Sequence, residues 1–227
     1  MNTFNLSARA RTIVENFNQI NPSMVFKEGS VLGTTSPNQD VFGFGVIQES
    51  IPSKFAIYDL RKFLGILGLY EDPKLEVENK TITITGSGRK FVYTLAAENQ
   101  ILAPNTDSHD KLVKAAEDTK ISSFNLSSKE LVSLKKNAAI ADLPDIVISS
   151  DGKKVSIKSL NSKNPTSDTY STDVADADKK FNLIFDRNKI NNLLDEDFEV
   201  TVAKGLVRFK SNDLEYYIAP EDGSKYE

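Results

Sequence analysis

Apolar positions along this chain follow two rhythms, and the succession of rhythms occurs twice. Short runs that are apolar throughout, or alternate with polar residues, predict strands; apolar residues three and four apart predict helices with one buried face. A first strand over 3–6 runs into Ser7, a suitable N-cap. Ala10, Ile13, Val14 and Phe17 then share one face of a helix over 8–19. Strands are predicted over 24–27, 31–34, 41–47 and 55–58, with turns at Glu28-Gly29 and Pro37-Asn38. Asp59 caps a short helix over 60–67, whose apolar positions are Leu60, Phe63, Leu64 and Leu67, while Arg61, Lys62 and Gly65 lie opposite. A meander over 75–77, 81–85 and 90–95, turning at Asn79-Lys80 and Gly86-Ser87-Gly88, ends the half.

The second half restates that order. A strand over 121–126 precedes Ser127-Ser-Lys-Glu130, a capping box that opens a helix reaching Ala138. Strands over 145–149 and 154–160 flank Asp151-Gly152, a strong hairpin signal. Strands over 169–174 and 181–185 lead to Asp186 and a second capped helix, and 198–203, 206–210 and 215–218 close the half. Phe55-Ala-Ile-Tyr-Asp-Leu-Arg-Lys-Phe-Leu-Gly-Ile-Leu67 is thereby matched by Phe181-Asn-Leu-Ile-Phe-Asp-Arg-Asn-Lys-Ile-Asn-Asn-Leu-Leu194. Pro22 corresponds to Pro144, Gly29 to Gly152, Asp59 to Asp186 and Val77 to Val200, at a near-constant offset. The chain therefore reads as a duplication: an α+β domain over 1–108 and another over 109–227, each with two short helices against antiparallel sheets. Between them, 96–120 is a polar linker without strand pattern. Its apolar start, Gln100-Ile-Leu-Ala-Pro104, is expected to lie on a domain surface.

Length and composition permit this: 227 residues suffice for two ordinary domains, and a hydrophobic fraction of 39% suits globular ones. The absence of cysteine excludes disulfides and thiolate chemistry. The polar start, with Arg9 and Arg11, lacks the apolar core of a signal peptide. The most apolar stretch, 63–69, is far short of the roughly 20 residues that span a bilayer, so a soluble, cytoplasmic protein without membrane partners is expected.

Charge changes the picture more. The four predicted helices carry Arg9, Arg11, Arg61, Lys62, Lys129, Lys135, Lys136, Arg187 and Lys189 against only Glu15 and Glu130. That surplus of seven within a chain of net charge −4 leaves −11 for everything else. Solvated helices usually mix both signs, because acid–base pairs a turn apart stabilise them. Helices sharing one sign on an acidic body fit a common polyanionic partner. Lysines and arginines among Asn and Gln suit phosphate contacts, which position a protein without reading sequence. No long basic recognition helix and no aromatic-rich basic motif accompanies them. The expected contact is sequence-independent and with duplex backbone.

Catalytic chemistry has little to work with. The single histidine, His109, lies in the polar linker and is expected to be a solvated side chain, with no nucleophile motif beside it. Asp195-Glu196-Asp197 has the composition of a divalent-cation site but reads better as an acidic loop after a helix, and a Cys/His metal site is impossible. Gly43-Phe44-Gly45 and Gly86-Ser87-Gly88 lack the context of phosphate loops. No cofactor, metal or enzymatic activity is expected.

Ile13-Val-Glu-Asn-Phe-Asn-Gln-Ile-Asn21, together with the segment from Phe55 to Leu67, closely resembles the DNA polymerase sliding clamps, or processivity factors, of T-even-type bacteriophages. Length and two-half organisation agree over essentially the whole chain, with weaker local likeness in the second half. The resemblance implies the ring-forming DNA-clamp fold shared with PCNA and the bacterial beta clamp, as a homotrimer with helices around the hole. It implies a non-catalytic protein in the cytoplasm of an infected bacterial host, which encircles duplex DNA, tethers the replicative polymerase and is opened by an ATP-driven clamp loader. The nine helix bases would then line the hole. A partner-peptide pocket is implied at Ile101, Leu102, Pro104, Ile218, Ala219 and Pro220. A subunit interface is implied between Lys90, Val92 and Thr94 of one copy and Thr169, Ser171 and Asp173 of the next. The residues themselves leave open a non-enzymatic structural or interaction protein of a phage, built on duplicated α+β domains.

Overall fold

In a computed structural model, which describes residues 3–164 and 166–226, the chain divides into two units, Met1–Thr106 and Asp107–Glu227. In the first, β1 (Thr3–Phe4) delivers the chain to Ser7, whose hydroxyl accepts from the Ala10 amide at 3.2 Å and starts α1 (Ala8–Ile20). Satisfying one of the open amides of the first turn is what such a cap contributes. The elements that follow are β2 (Met24–Phe26), β3 (Gly29–Thr35), β4 (Val41–Ile51), β5 (Phe55–Ile57), α2 (Leu60–Leu67), β6 (Lys74–Val77), β7 (Thr81–Gly86) and β8 (Arg89–Thr94). Strands pair antiparallel in the order β1-β6-β7-β8, with β3 beside β4 and β2 beside β5. Ala10, Ile13, Val14, Phe17 and Ile20 form the buried face of α1, and Leu60, Phe63 and Leu67 that of α2. Phe26 stacks on Phe55 at 4.5 Å and meets Phe63 edge-on, so aromatic packing fixes α2 over the sheet. Gly43 is needed where β4 passes under α1: a Cβ there would lie 2.8 Å from the Phe17 ring. Gly43 of the first Gly-x-Gly pair is thus accounted for by packing.

The second unit contains α3 (Ser108–Asp118), β9 (Lys120–Leu126), α4 (Ser128–Ile140), β10 (Asp145–Asp151), β11 (Lys154–Leu160), β12 (Tyr170–Asp176), β13 (Lys180–Asp186), α5 (Arg187–Asn191), β14 (Phe198–Ala203), β15 (Leu206–Lys210), β16 (Leu214–Ile218) and β17 (Lys225–Tyr226). One sheet runs β12-β11-β10-β13-β17, and within this unit β9-β14-β15-β16 forms another, all antiparallel. The capping box at Ser127 and Glu130 is formed in both directions.

Helix α3 corrects the reading of 96–120 as a structureless linker. Its inward face is His109, Leu112, Val113 and Ala116, of which only Ala116 is fully buried. Thr169 is also corrected: it precedes β12, which starts at Tyr170.

The duplication extends to individual hydrogen bonds. The Leu60 amide donates to the Pro22 carbonyl at 2.8 Å, and the Arg187 amide donates to the Pro144 carbonyl at 2.8 Å. In each unit the residue after the capping aspartate is tied to the proline that precedes the first strand after the long helix. The Asp59 carboxylate accepts from the Lys62 amide at 2.8 Å, and that of Asp186 from the Asn188 amide at 2.7 Å. Each unit also returns its last long strand to the strand before the capped helix, through Ala96 N–H to Ala56 O at 3.0 Å and Glu221 N–H to Ile184 O at 2.7 Å. Asp59→Ala and Asp186→Ala are each expected to cost about 1 kcal/mol. Urea unfolding would check this, and a destabilisation confined to one of the two would break the equivalence.

Candidate nucleic-acid interface

Within each unit the two basic helices pack side by side, α1 against α2 and α4 against α5. The geometry follows from the duplicated proline-to-helix hydrogen bond, which fixes where the second helix begins relative to the end of the first. Arg9, Arg11, Arg61 and Lys62 are thereby gathered in the first unit, and Lys129, Lys135, Lys136, Arg187 and Lys189 in the second. The missed helix α3 does not belong to the set, since Lys111 and Lys114 are outnumbered by Asp110, Glu117 and Asp118.

The nine bases fall into two classes. Arg61, Lys62, Lys129 and Lys136 are exposed, and none has a carboxylate within ion-pair reach among the described residues. Lys62 sits 5.7 Å from the Tyr93 ring, a cation–π contact that steadies it without neutralising it. Arg61 borders a shallow cleft of about 440 Å³ lined also by Asn18, Pro22, Ser23, Tyr58 and Asp59. Asn18 and Tyr58 were not singled out by the sequence pattern, because each reads as an ordinary surface position beside a helix end.

The remaining bases are half-buried. The Lys189 ammonium, 15% exposed, donates to the Ala219 carbonyl at 3.2 Å and pairs with Glu221 at 2.7 Å. Lys135, also 15% exposed, donates to the Leu193 carbonyl at 2.6 Å and pairs with Asp195 at 2.7 Å. Arg187 reaches the Ala138 carbonyl at 2.9 Å and Asp142 at 3.3 Å, and Arg11 the Leu6 carbonyl at 3.1 Å. Two of these contacts, Lys135 to Leu193 and Arg187 to Ala138, fall on backbone near helix C-terminal ends, where the open carbonyls favour a cation. Lys135, Arg187 and Lys189 thus pair with acids of their own unit, and their charge is largely engaged within it.

The acidic run after α5 is likewise engaged. Asp195 takes Lys135, Asp197 accepts from the Ser128 amide at 2.7 Å, and Glu196 accepts from the Ser211 hydroxyl at 2.8 Å. His109 is the plainest correction to the sequence reading. It is not solvated linker but faces Glu215, with Nε2 3.3 Å from the carboxylate, and its ring meets Tyr217 edge-on. Arg208 clamps Glu215 with two bonds of 3.1 and 2.9 Å, and the Tyr217 hydroxyl donates to it at 2.6 Å. Burial alone would raise the Glu215 pKa, but the hydrogen bonds from Arg208 and Tyr217 and the arginine charge outweigh it and hold the acid at about 2. Burial and the hydrogen bond to Glu215 push the Tyr217 phenol up.

Because the folded pKa lies below the ordinary 4.5, the stabilisation is fully present above that value and is lost as pH falls towards about 2. The difference is worth at most about 3 kcal/mol, reduced by the solvent screening of a group that is not fully buried. Glu215→Gln is expected to be less stable than the parent at neutral pH, with the gap closing between pH 4.5 and 2. Urea titrations across that range would show it, and a gap independent of pH would refute the assignment.

The residues expected in a partner pocket come from both units, Ile101, Leu102 and Pro104 from the first and Ile218, Ala219 and Pro220 from the second. Ile101 packs with Val25 and Ala56 in a buried cluster flanked by Ala96 and Ala103, and Pro104 is buried too. Of residues 101–104 only Leu102 is exposed, at 41%. Ile218 is fully buried in β16, with Ala219 and Pro220 half-buried after it. Val31 and Val46, 48% and 55% exposed and opposite each other across β3 and β4, form a small apolar surface that the strand pattern alone did not distinguish from core.

The expected interface strands occupy the outer positions of their sheets. Among the described residues β8 pairs only with β7, and it leaves Lys90, Phe91, Val92 and Thr94 exposed with Tyr93 inside. β12, among the described residues, pairs only with β11, and exposes Ser171, Asp173 and Asp176. The Asp173 carboxylate accepts from the Ser156 hydroxyl at 2.6 Å. Unpaired edges of this length invite another strand.

Comparison with known proteins gives the fold a name. No family model matches the chain. It is 28% identical over 215 residues to a protein named Sliding clamp from Vibrio phage KVP40, covering 92% of this chain and 95% of that one. Among solved structures it is similar to the Proliferating Cellular Nuclear Antigen of Entamoeba histolytica, with a TM-score of 0.64 and 15% identity over 93% of this chain and 94% of that one. It is similar also to the DNA polymerase III subunit beta of Pseudomonas aeruginosa, with a TM-score of 0.67 and 12% identity. There the match covers 97% of this chain but spans only 64% of the length of the beta subunit. The fold is the α+β DNA-clamp fold.

Proposed function

We infer that this chain is a sliding clamp of the bacteriophage type, a processivity factor that encircles duplex DNA and keeps a replicative polymerase on its template. The observation that carries this reading is that each duplicated unit presents exposed, unneutralised bases on its helix pair, Arg61 and Lys62 on α2 in the first and Lys129 and Lys136 on α4 in the second, in a chain whose remaining charge is acidic. Arg61, Lys62, Lys129 and Lys136 are the direct phosphate contacts, with Asn18 and Tyr58 beside them. The half-buried bases support the helices and add to the local potential. Contacts of this kind fix no sequence, so the protein slides. The acidic remainder repels DNA from other surfaces.

The ring closes by pairing β8 of one copy with β12 of the next. The two edges differ, so the interface is heterologous and closes by rotation; three copies of a two-unit chain make the ring. The protein has no catalytic role. Leu102 and the Val31–Val46 surface are open to partner peptides, including those of the polymerase and of an ATP-driven loader that opens the ring. Retention on DNA tests the reading. A ring loaded on a closed circle remains there at moderate salt and is lost when the circle is cut. Equal retention on both, or a solution mass equal to a single 25.2 kDa chain at micromolar concentration, would overturn it.

A further inference from the structure

Bases also collect at a place the helices do not reach. Lys120 at the start of β9, Lys179 and Lys180 at the turn from β12 to β13, and Lys204 at the turn from β14 to β15 line an open cleft of about 690 Å³ in the second unit. Asp118, Thr119, Ile121, Asp178 and Tyr226 complete its walls. The walls are tied together by hydrogen bonds. The Lys204 amide donates to the Thr119 carbonyl at 3.2 Å, and the Gly205 amide donates to the Tyr226 hydroxyl at 2.9 Å. Gly205 has a φ of +80°, which lets the β14–β15 turn hold Lys204 at the rim. Lys120, Lys179 and Lys204 are exposed and have no carboxylate within ion-pair reach among the described residues.

The cleft is separate from the DNA-facing set. It lies where β9 and β13 begin, whereas α4 and α5 follow the far ends of those strands; seven residues of strand separate the two by roughly 20 Å. An arrangement that confines positive charge to the helices leaves no role for these lysines.

We propose that this cleft docks a short acidic peptide segment of a partner protein, with an apolar residue set between its carboxylates. The lysines supply point charges at separate positions around the rim, suited to carboxylates spaced along an extended chain. Ile121, the Tyr226 ring and the lysine stems give the apolar wall. Nucleic acid fits less well. A strand bearing a charge at every phosphate would be driven against Asp118 and Asp178, and the cleft offers no arginine fork for a phosphate. The volume is within the range of small-ligand and peptide clefts.

The test is fluorescence anisotropy of a labelled peptide of alternating glutamate and leucine, added to the full chain at several salt concentrations. Combined Lys120→Glu, Lys179→Glu and Lys204→Glu is expected to weaken binding at least about tenfold, the scale of three exposed charge contacts. Lys→Gln at the same three positions gives a smaller reduction. Combined Arg61→Glu, Lys62→Glu, Lys129→Glu and Lys136→Glu, which disables the helices, leaves peptide binding unchanged, so the result does not depend on the clamp reading. Undiminished binding by the cleft variant overturns the proposal. So does displacement of the peptide by oligothymidine of equal charge in the helix variant, which would make the cleft a nucleic-acid site.

Discussion

Reversing Arg61, Lys62, Lys129 and Lys136 together to glutamate is expected to abolish stable retention on circular DNA and polymerase processivity while leaving the fold intact. All four are exposed and none is committed to a partner carboxylate among the described residues, so their charge acts outward. Every phosphate left without its base lowers the exponent of salt dependence by about 0.9, so removing even four such bases from a ring flattens it by roughly 3.6. At moderate salt that corresponds to about a hundredfold in affinity. The control is the pair Arg187→Glu and Lys189→Glu. These bases look equivalent in sequence, but they hold the carbonyls of Ala138 and Ala219 and the acids Asp142 and Glu221. Reversal leaves those groups facing a like charge and should cost about 2–3 kcal/mol, or roughly 5–10 °C in melting temperature for a chain of this size. Calorimetry and DNA binding should therefore separate the two sets. Unaltered processivity in the first variant, or an undisturbed melting temperature in the second, would contradict the division.

That division also shows how far the sequence could be read. Helix α2 was legible to the residue, because Asp59 marks its start and Leu60, Phe63, Leu64 and Leu67 repeat at the helical spacing. The same local chemistry exposed the duplication through Asp186 and Pro144. Helix α3 was not legible, because its inward stripe is brief, includes alanine and histidine, and interrupts a run of charges that resembles a solvated loop. His109 was misread for the same reason: its partner Glu215 lies 106 positions away in sequence. The fate of individual bases was illegible for a third reason. Lys135 and Lys136 are neighbours in sequence, but successive helical residues point about 100° apart. One finds the Leu193 carbonyl and Asp195 of the adjoining α5 segment, and the other finds solvent. Periodicity identifies the face a residue occupies; only the packed neighbour determines whether its charge remains available.

The proposed subunit edges carry a second large expected effect. β8 begins with Arg89 and Lys90, and β12 carries Asp173 and Asp176 towards its end. Antiparallel pairing of these edges sets the basic start of one against the acidic end of the other, whereas parallel pairing would leave both runs without partners. Within its own unit Asp176 pairs with Lys154 across an exposed contact, and such pairs contribute little to stability, so altering it should not harm the fold. Arg89→Glu with Lys90→Glu should place like charges across every interface, at a cost of several kcal/mol each and about a hundredfold or more in dissociation constant. The variant should sediment as a monomer, and so should Asp173→Lys with Asp176→Lys. Joining all four substitutions in one chain restores the complementarity with its sign reversed and should restore the ring. Phe91 and Val92, exposed between the charges, are untouched throughout and supply apolar burial once the edges meet. Electrostatics then selects register and direction while burial supplies most of the association energy. A fourfold variant that stays monomeric would exclude antiparallel pairing of these edges; assembly that persists in either charge-reversed pair would place the interface elsewhere.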